Sequence, residues 1–288
     1  MIDRKSGEKV EEEIFGGSAI RYLYGKGWLA GLLRRASGRF SWISTLFGLW
    51  QRQKWTKKNV APFIKRFHID TSEFEKQEFS SFNDFFIRKL KPQCRPIADT
   101  SAIIPADGRY RFFPVTQEPL FVKGSSFDLA ELLQDEMLAK QFQGGGCVTG
   151  RLCPTDCHRF YFPIDCIPGE PRLIHGPLFS VNPIAVKKNL RYLTQNKRYV
   201  TELASEVFGK VVFLEVGATN VGSIHQTYRP GKPVNKGDEK GFFSFGGSAL
   251  IILFEPGAIL FSKDLLHFLK ESDLEVLCKI GHPLGSIR

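Results

Sequence analysis

From about residue 100 onward, short apolar runs alternate with proline and glycine. They are Ile103-Ile104-Pro105, Tyr110–Phe113, Gly146–Thr149, Arg159–Phe162, Val211–Val216 and Leu250–Phe254. Runs of this length, punctuated in this way, read as strands of a sandwich or barrel. Apolar positions at helical spacing break the pattern at Leu129–Phe142 and Pro183–Leu193, and Lys232–Asp238 reads as a strand entering a turn. Upstream, Ser80-Ser81-Phe82-Asn83-Asp84-Phe85-Phe86 has the polar opening of a helix. Its phenylalanines share one face, and Arg88, Lys89 and Lys91 follow at the end that favours cations. Residues 18–58 read as helices interrupted by glycine, with Leu29, Leu32 and Leu33, then Trp42, Leu46, Leu49 and Trp50, at helical spacing. Residues 1–13 are polar and predict a loose arm or edge strand. The expectation is an α+β protein: a β-rich, sandwich- or barrel-like domain over residues 71–288, preceded by a helical segment over residues 1–70.

Charge changes the picture of that first segment. The 288-residue chain carries a net charge of +10. No Asp or Glu occurs from Ile14 to Ile69, a window that holds Arg21, Lys26, Arg34, Arg35, Arg39, Arg52, Lys54, Lys57, Lys58, Lys65 and Arg66. The remainder is close to neutral. Trp28, Trp42, Trp50 and Trp55 lie in the same window. Tryptophan at headgroup level with cations against anionic lipid is an interfacial pattern. The segment has no unbroken apolar run long enough to span a bilayer, so it is expected to lie on a membrane rather than cross it. A helical subdomain packed on the body and a nucleic-acid surface remain open on charge alone. The N-terminus has no signal-peptide pattern. Cys147, Cys153, Cys157 and Cys166 do not form paired C-x-x-C hooks, so they are read with Cys94 and Cys278 as free core thiols rather than metal ligands.

Four places carry candidate chemistry. Phe245-Gly246-Gly247-Ser248-Ala249 puts a serine after two glycines at the mouth of an apolar strand. A hydroxyl there, beside a bent peptide bond, can attack its own chain. The same pentapeptide at Phe15–Ala19 shows that the motif alone is no more than a glycine turn. Asp107 sits in the turn Pro105-Ala106-Asp107-Gly108. His158 opens an aromatic strand in Asp156-Cys157-His158-Arg159-Phe160-Tyr161. Glu215–His225 is a run of small residues suited to a pocket wall. Triads are assembled from distant positions, so separation in sequence does not exclude a set of Asp107, His158 and Ser248.

Taken in order, Ser81–Leu90, Pro105–Gly108, Asp156–Phe160, Leu178–Asn182, Val216–Ile224 and Phe245–Ser248 closely resemble phosphatidylserine decarboxylase. The likeness runs from about residue 80 to Ile280–Leu284. His225-Gln226-Thr227 and the double glycine are similar to the type II branch found in chlamydia-like bacteria. The resemblance implies that residues 71–288 are a catalytic decarboxylase domain made as a proenzyme. Self-cleavage between Gly247 and Ser248 would give a large chain, 1–247, and a small chain, 248–288. Ser248 would become a pyruvoyl group that forms a Schiff base with phosphatidylserine, releasing carbon dioxide and phosphatidylethanolamine. Asp107, His158 and Ser248 are its implied catalytic residues, with no metal. The implied partners are the lipid substrate, an anionic membrane surface, the two chains of one proenzyme and a second copy in a homodimer. Nucleic acid is not among them. The implied location is peripheral, on the cytoplasmic face of the cell membrane.

Two positions depart from the pattern. The family has Tyr-His-Arg-x-His, and Tyr161 stands where the second histidine belongs. That histidine is the one the family pairs with the aspartate to deprotonate the serine, and a phenol is a poor base at neutral pH. Ala249 replaces the usual threonine after the serine. The alternative is therefore a lipid-binding relative that never matures.

Overall fold

The computed structural model describes residues 1–12, 22, 48–115, 120–122, 125–182, 185, 192–218, 223–246, 248–271 and 274–287. At the centre is a nine-stranded sheet. Its middle strand, Ser248–Phe254, pairs antiparallel with Cys147–Leu152 on one side and Gly209–Gly217 on the other. Gly108–Phe113 and Val276–Cys278 extend one flank, and Arg198–Ser205 the other. The edge is Ile2–Asp3, parallel to Val276–Cys278, so the N-terminal arm is the edge strand of the main sheet.

Every residue from Ser248 to Phe254 is buried. A strand covered on both faces reads as an unbroken apolar run, which is how Leu250–Phe254 reads. Alternation then sorts its side chains. Leu250, Ile252 and Phe254 pack with Phe160, Phe243 and Ile224, and with Phe261 and Leu284. These belong to two three-stranded sheets, one of Arg159–Tyr161, Glu239–Phe243 and Ile224–Gln226, the other of Ala102–Ile103, Pro283–Ser286 and Leu260–Phe261. Ala249, Ile251 and Leu253 face the opposite way, against Leu132, Leu138 and Phe142 of two helices. The sandwich expectation thus holds for one face of the sheet, and helices cover the other. Gly150 is a glycine because a Cβ there would lie 2.4 Å from the Tyr110 ring.

The helix expected over Leu129–Phe142 is two helices, Leu129–Leu133 and Glu136–Phe142. Gln134 turns left-handed between them, and Asp128 and Asp135 cap the two starts. The helix expected over Pro183–Leu193 falls mostly outside the described residues.

A third cluster is almost wholly phenylalanine. Phe82, Phe85 and Phe86 of the helix Phe82–Phe86 meet Phe63, Phe74, Phe79 and Phe245. Ser81 accepts from the Asp84 N–H while the Asp84 carboxylate accepts from the Ser80 N–H, a reciprocal cap that fixes this short helix. Thr56 reaches into the same region, its hydroxyl accepting from the Phe82 N–H at 2.9 Å. Residues 56–63 are thereby docked on the body. The basic helices expected over residues 18–58, with Trp28 and Trp42, lie largely outside the described residues. Trp50 and Trp55 are described and are 41% and 49% exposed. Among the described residues no helix is long and apolar enough to cross a membrane.

Candidate active site

Ser248 is the first residue of the central strand. It is opposite Leu152 on one side and Gly217 on the other. It shares the face of Leu250 and Ile252, which looks toward Phe160 and Phe243. Its hydroxyl is buried and has no hydrogen-bond partner among the described residues. An unsatisfied buried hydroxyl costs about 1–3 kcal/mol, so one kept at a strand mouth calls for a chemical reason.

His158 immediately precedes the strand Arg159–Tyr161 and is fully buried. Its Nδ1 lies 3.1 Å from the Asp156 carbonyl oxygen. A carbonyl can only accept, so Nδ1 carries the proton and Nε2 keeps its lone pair. Nε2 makes no hydrogen bond among the described residues. The Phe86 ring stacks on the imidazole at 3.6 Å and meets Phe245 at 4.9 Å. The His158 carbonyl accepts from the Phe243 N–H at 2.9 Å. One buried seam therefore holds His158, residues 243–246 and the start of the Ser248 strand.

The loop before Ser248 is pinned. The buried Asn83 Oδ1 accepts from the Phe245 N–H at 2.9 Å, tying loop to helix across 162 residues of sequence. Gly246 has φ +142°, a backbone angle that L side chains avoid. Gly247 lies outside the described residues.

Burial drives the His158 pKa down to about 3, and Arg88 and Arg109 add to the effect. The Asp156 carbonyl and the backbone of Gly246 oppose it, although nothing reaches hydrogen-bond geometry at Nε2. The ring is neutral throughout the physiological range. The folded pKa is depressed below the unfolded value of about 6.5. The unfolded chain therefore takes up this proton first, and stability is full above that value and is lost as pH falls toward 3. At pH 4.5 the loss attributable to this group is about 3 kcal/mol. Urea unfolding of the uncut Ser248→Ala protein, with and without His158→Gln, at pH 7 and pH 4.5 checks it. The protein that keeps His158 should lose about that much more than the one that lacks it, and equal losses would refute the assignment.

A family model described as phosphatidylserine decarboxylase matches residues 82–274. A phosphatidylserine decarboxylase proenzyme of Chlamydia muridarum is 44% identical, over 99% of this chain and 96% of the relative. Those of Chlamydia felis and Chlamydia trachomatis, covered to the same extents, are 45% and 40% identical. This chain belongs to the phosphatidylserine decarboxylase family. It is a carboxy-lyase by that membership, and the resemblance seen in its motifs holds over the whole length of the sequence.

Within this family member, His158 and Ser248 line the seam, and Asp107 is engaged by other partners. Its carboxylate takes Arg95 Nε at 3.0 Å, Arg95 Nη2 at 2.6 Å and the Ile280 N–H at 2.9 Å. Arg95 is clamped in turn by Glu73 at 2.8 Å. Among the described residues no hydrogen bond joins Asp107 to His158 or Ser248. Tyr161 lies at the Asp107 end of its strand, where its N–H donates to the Pro105 carbonyl at 2.9 Å. Burial pushes its phenol up, with Cys157 and Glu239 adding to the shift, so it stays protonated at neutral pH.

Sequence reasoning did not assign jobs to Asn83, Phe86 or Arg95. Asn83 and Phe86 belong to a recognised motif, but only folding shows that they hold the Ser248 loop and the His158 ring. His225 is half-buried and stacks on Phe242 at 4.7 Å. Its Nε2 is 3.0 Å from the Ser244 hydroxyl, so its described partner is Ser244 rather than Ser248.

Proposed function

We propose that this chain is a self-maturing, pyruvoyl-dependent decarboxylase of phosphatidylserine, working as a peripheral protein on an anionic, cytoplasm-facing membrane surface. The observation that carries the proposal is the pair of buried groups in one seam that make no hydrogen bond among the described residues, the Ser248 hydroxyl and His158 Nε2. A hydroxyl becomes an effective nucleophile when a base stands within reach of its proton.

In the maturation step the Ser248 oxygen attacks the Gly247 carbonyl carbon, and its proton passes to His158 Nε2. The Gly247 acyl group moves from the nitrogen of Ser248 to its oxygen, giving an ester. Loss of the Ser248 α-proton expels Gly247 as a carboxylate and leaves a carbon–carbon double bond at residue 248. Water then displaces the nitrogen as ammonia, and a keto group remains at the new N-terminus. The surroundings fit such a group. Residue 248 is its source and its carrier, and the Phe86 and Phe245 side exposes no competing nucleophile. The keto group supplies the electron sink for the pair released as carbon dioxide leaves. His158 holds a proton-accepting atom beside it, and the phenylalanine wall excludes water from the departing carboxylate.

Tyr161, in the place of a histidine, favours a second reading, a relative that binds lipid and never cleaves. Intact-mass measurement of the purified protein separates the two. The expected result is a large chain ending at Gly247 and a small chain starting at residue 248 with a blocked N-terminus. Full-length polypeptide alone, after long incubation, would leave only the second reading.

A further inference from the structure

Arg52 comes from the acid-free N-terminal segment and reaches the loop that leads to Ser248. Its Nη2 donates to the Ser244 hydroxyl at 3.1 Å. That hydroxyl also lies 3.0 Å from His225 Nε2. Arginine only donates, so the serine accepts from Arg52, and its second lone pair or its own proton serves the imidazole according to the tautomer. Burial, and then Arg52 itself, lower the His225 pKa and favour the neutral ring. A buried serine and an imidazole thus aim a guanidinium without neutralising it.

Arg52 is exposed, and its side chain makes no other hydrogen bond or ion pair among the described residues. Of the other cations around the site, Arg88 is buried and donates to the Phe85 and Thr155 carbonyls, and three more pair with carboxylates. Arg95 pairs with Asp107 and Glu73, Arg109 with Asp156, and Arg159 with Glu239. Ser244 is four residues before Ser248, a span of at most about 14 Å of extended chain. Trp50 and Trp55, both exposed, meet edge to face at 4.8 Å on the same segment. An open guanidinium on the loop that leads to the reacting residue, on the same segment as an exposed aromatic pair, is suited to receive a fixed anion from a lipid surface.

We infer that Arg52 binds the phosphodiester of the lipid headgroup and so sets where the headgroup amine falls relative to residue 248; this rests on the function proposed above. The headgroup offers two anions, the phosphodiester and the serine carboxylate. An arginine on the carboxylate would stabilise the group whose charge must be lost, and so bind the ground state more than the transition state. The phosphodiester keeps its charge throughout and lies only a two-carbon bridge from the amine. Arg52 is thus a specificity residue, carried by the segment that meets the membrane.

The test is calorimetric titration of the purified full-length protein with glycerophosphoethanolamine, which has the phosphodiester and amine but neither carboxylate nor acyl chains. Serine and inorganic phosphate serve as comparison probes. Arg52→Gln should weaken glycerophosphoethanolamine at least about ten-fold, the scale of one lost charge-assisted contact. Arg52→Lys should restore part of it, and serine binding should not change. Affinities for glycerophosphoethanolamine that agree within two-fold in wild type and Arg52→Gln would overturn the inference, as would absence of binding in the wild type. Equal loss of inorganic phosphate would reduce the site to a general anion site and overturn it too. If Arg52→Gln alters only the fraction cleaved, seen by intact mass on the same samples, Arg52 is a loop clamp and the inference fails. Failure of the wild type to cleave refutes the proposed maturation whatever the titrations give.

Discussion

His158→Ala should leave the chain essentially uncut over a period in which the wild type is converted to two chains. A positioned base is worth about 10²–10⁴ in rate, and no second base stands at Ser248 among the described residues. Asp107 is engaged by Arg95 and the Ile280 N–H rather than by Ser248. Tyr161 cannot serve, because burial raises a phenol that was already too weak. His225 is turned to Ser244. The depressed pKa of His158 makes it a weak base as well, so wild-type cleavage should be slow and should show no inflection near pH 6.5. Tyr161→His supplies the imidazole that this chain lacks, close to Asp107, and should speed cleavage by about ten-fold or more. Time courses of intact mass for the three proteins decide the matter. Cleavage of His158→Ala at the wild-type rate would remove His158 from the maturation step, and an unchanged rate in Tyr161→His would show that the missing histidine is not what limits it.

What could be read from the residues, and what could not, follows from the range of the forces involved. Leu250–Phe254 was legible as a buried strand because burial on both faces leaves an apolar run. Ser81 and Asp84 were legible as a helix start because capping is local. The break at Gln134 was not, since a left-handed turn is signalled by glycine and here falls on glutamine. The site was legible only as an ordered set of motifs. Phe15–Ala19 repeats the pentapeptide at Ser248, so the pentapeptide carries no information without its neighbours in space. The bond from Asn83 to Phe245, the clamp of Arg95 on Asp107 and the reach of Arg52 to Ser244 join residues far apart in the chain. Charge and spacing cannot pair such residues, because many other cations and carboxylates have equal claims until the sheet order is set. The committed state of Asp107 is the sharpest example: its turn was visible, and its partner was not.

Lys240→Met should destabilise the protein by about 3–5 kcal/mol, the cost of stranding one member of a buried ion pair. Lys240 and Glu215 are both completely buried and bonded to each other. Lys240 also donates to the Thr201 hydroxyl and to Gln226 Oε1, each at 3.1 Å, and its ammonium lies 4.9 Å from the Tyr228 ring and 5.1 Å from that of Phe213. Burial lowers the Lys240 pKa and raises that of Glu215, and each partner opposes the shift of the other. Without the lysine, Glu215 keeps only Gln226 as a side-chain donor. The loss lands next to the site, because Glu215 is in register with Leu250 on the strand that Ser248 begins. Glu215→Leu combined with Lys240→Met removes both charges and should recover most of the stability, since an apolar pair of similar volume is often as stable as the ion pair. Equilibrium urea unfolding of the uncut Ser248→Ala protein, in which maturation cannot complicate the transition, measures all three states. A Lys240→Met chain within about 1 kcal/mol of its parent would mean that Glu215 takes up a proton cheaply and that the pair contributes little. A double variant no more stable than the single one would mean that the aromatic and hydrogen-bonding surroundings of the ammonium, rather than its charge partner, hold this part of the sheet in place.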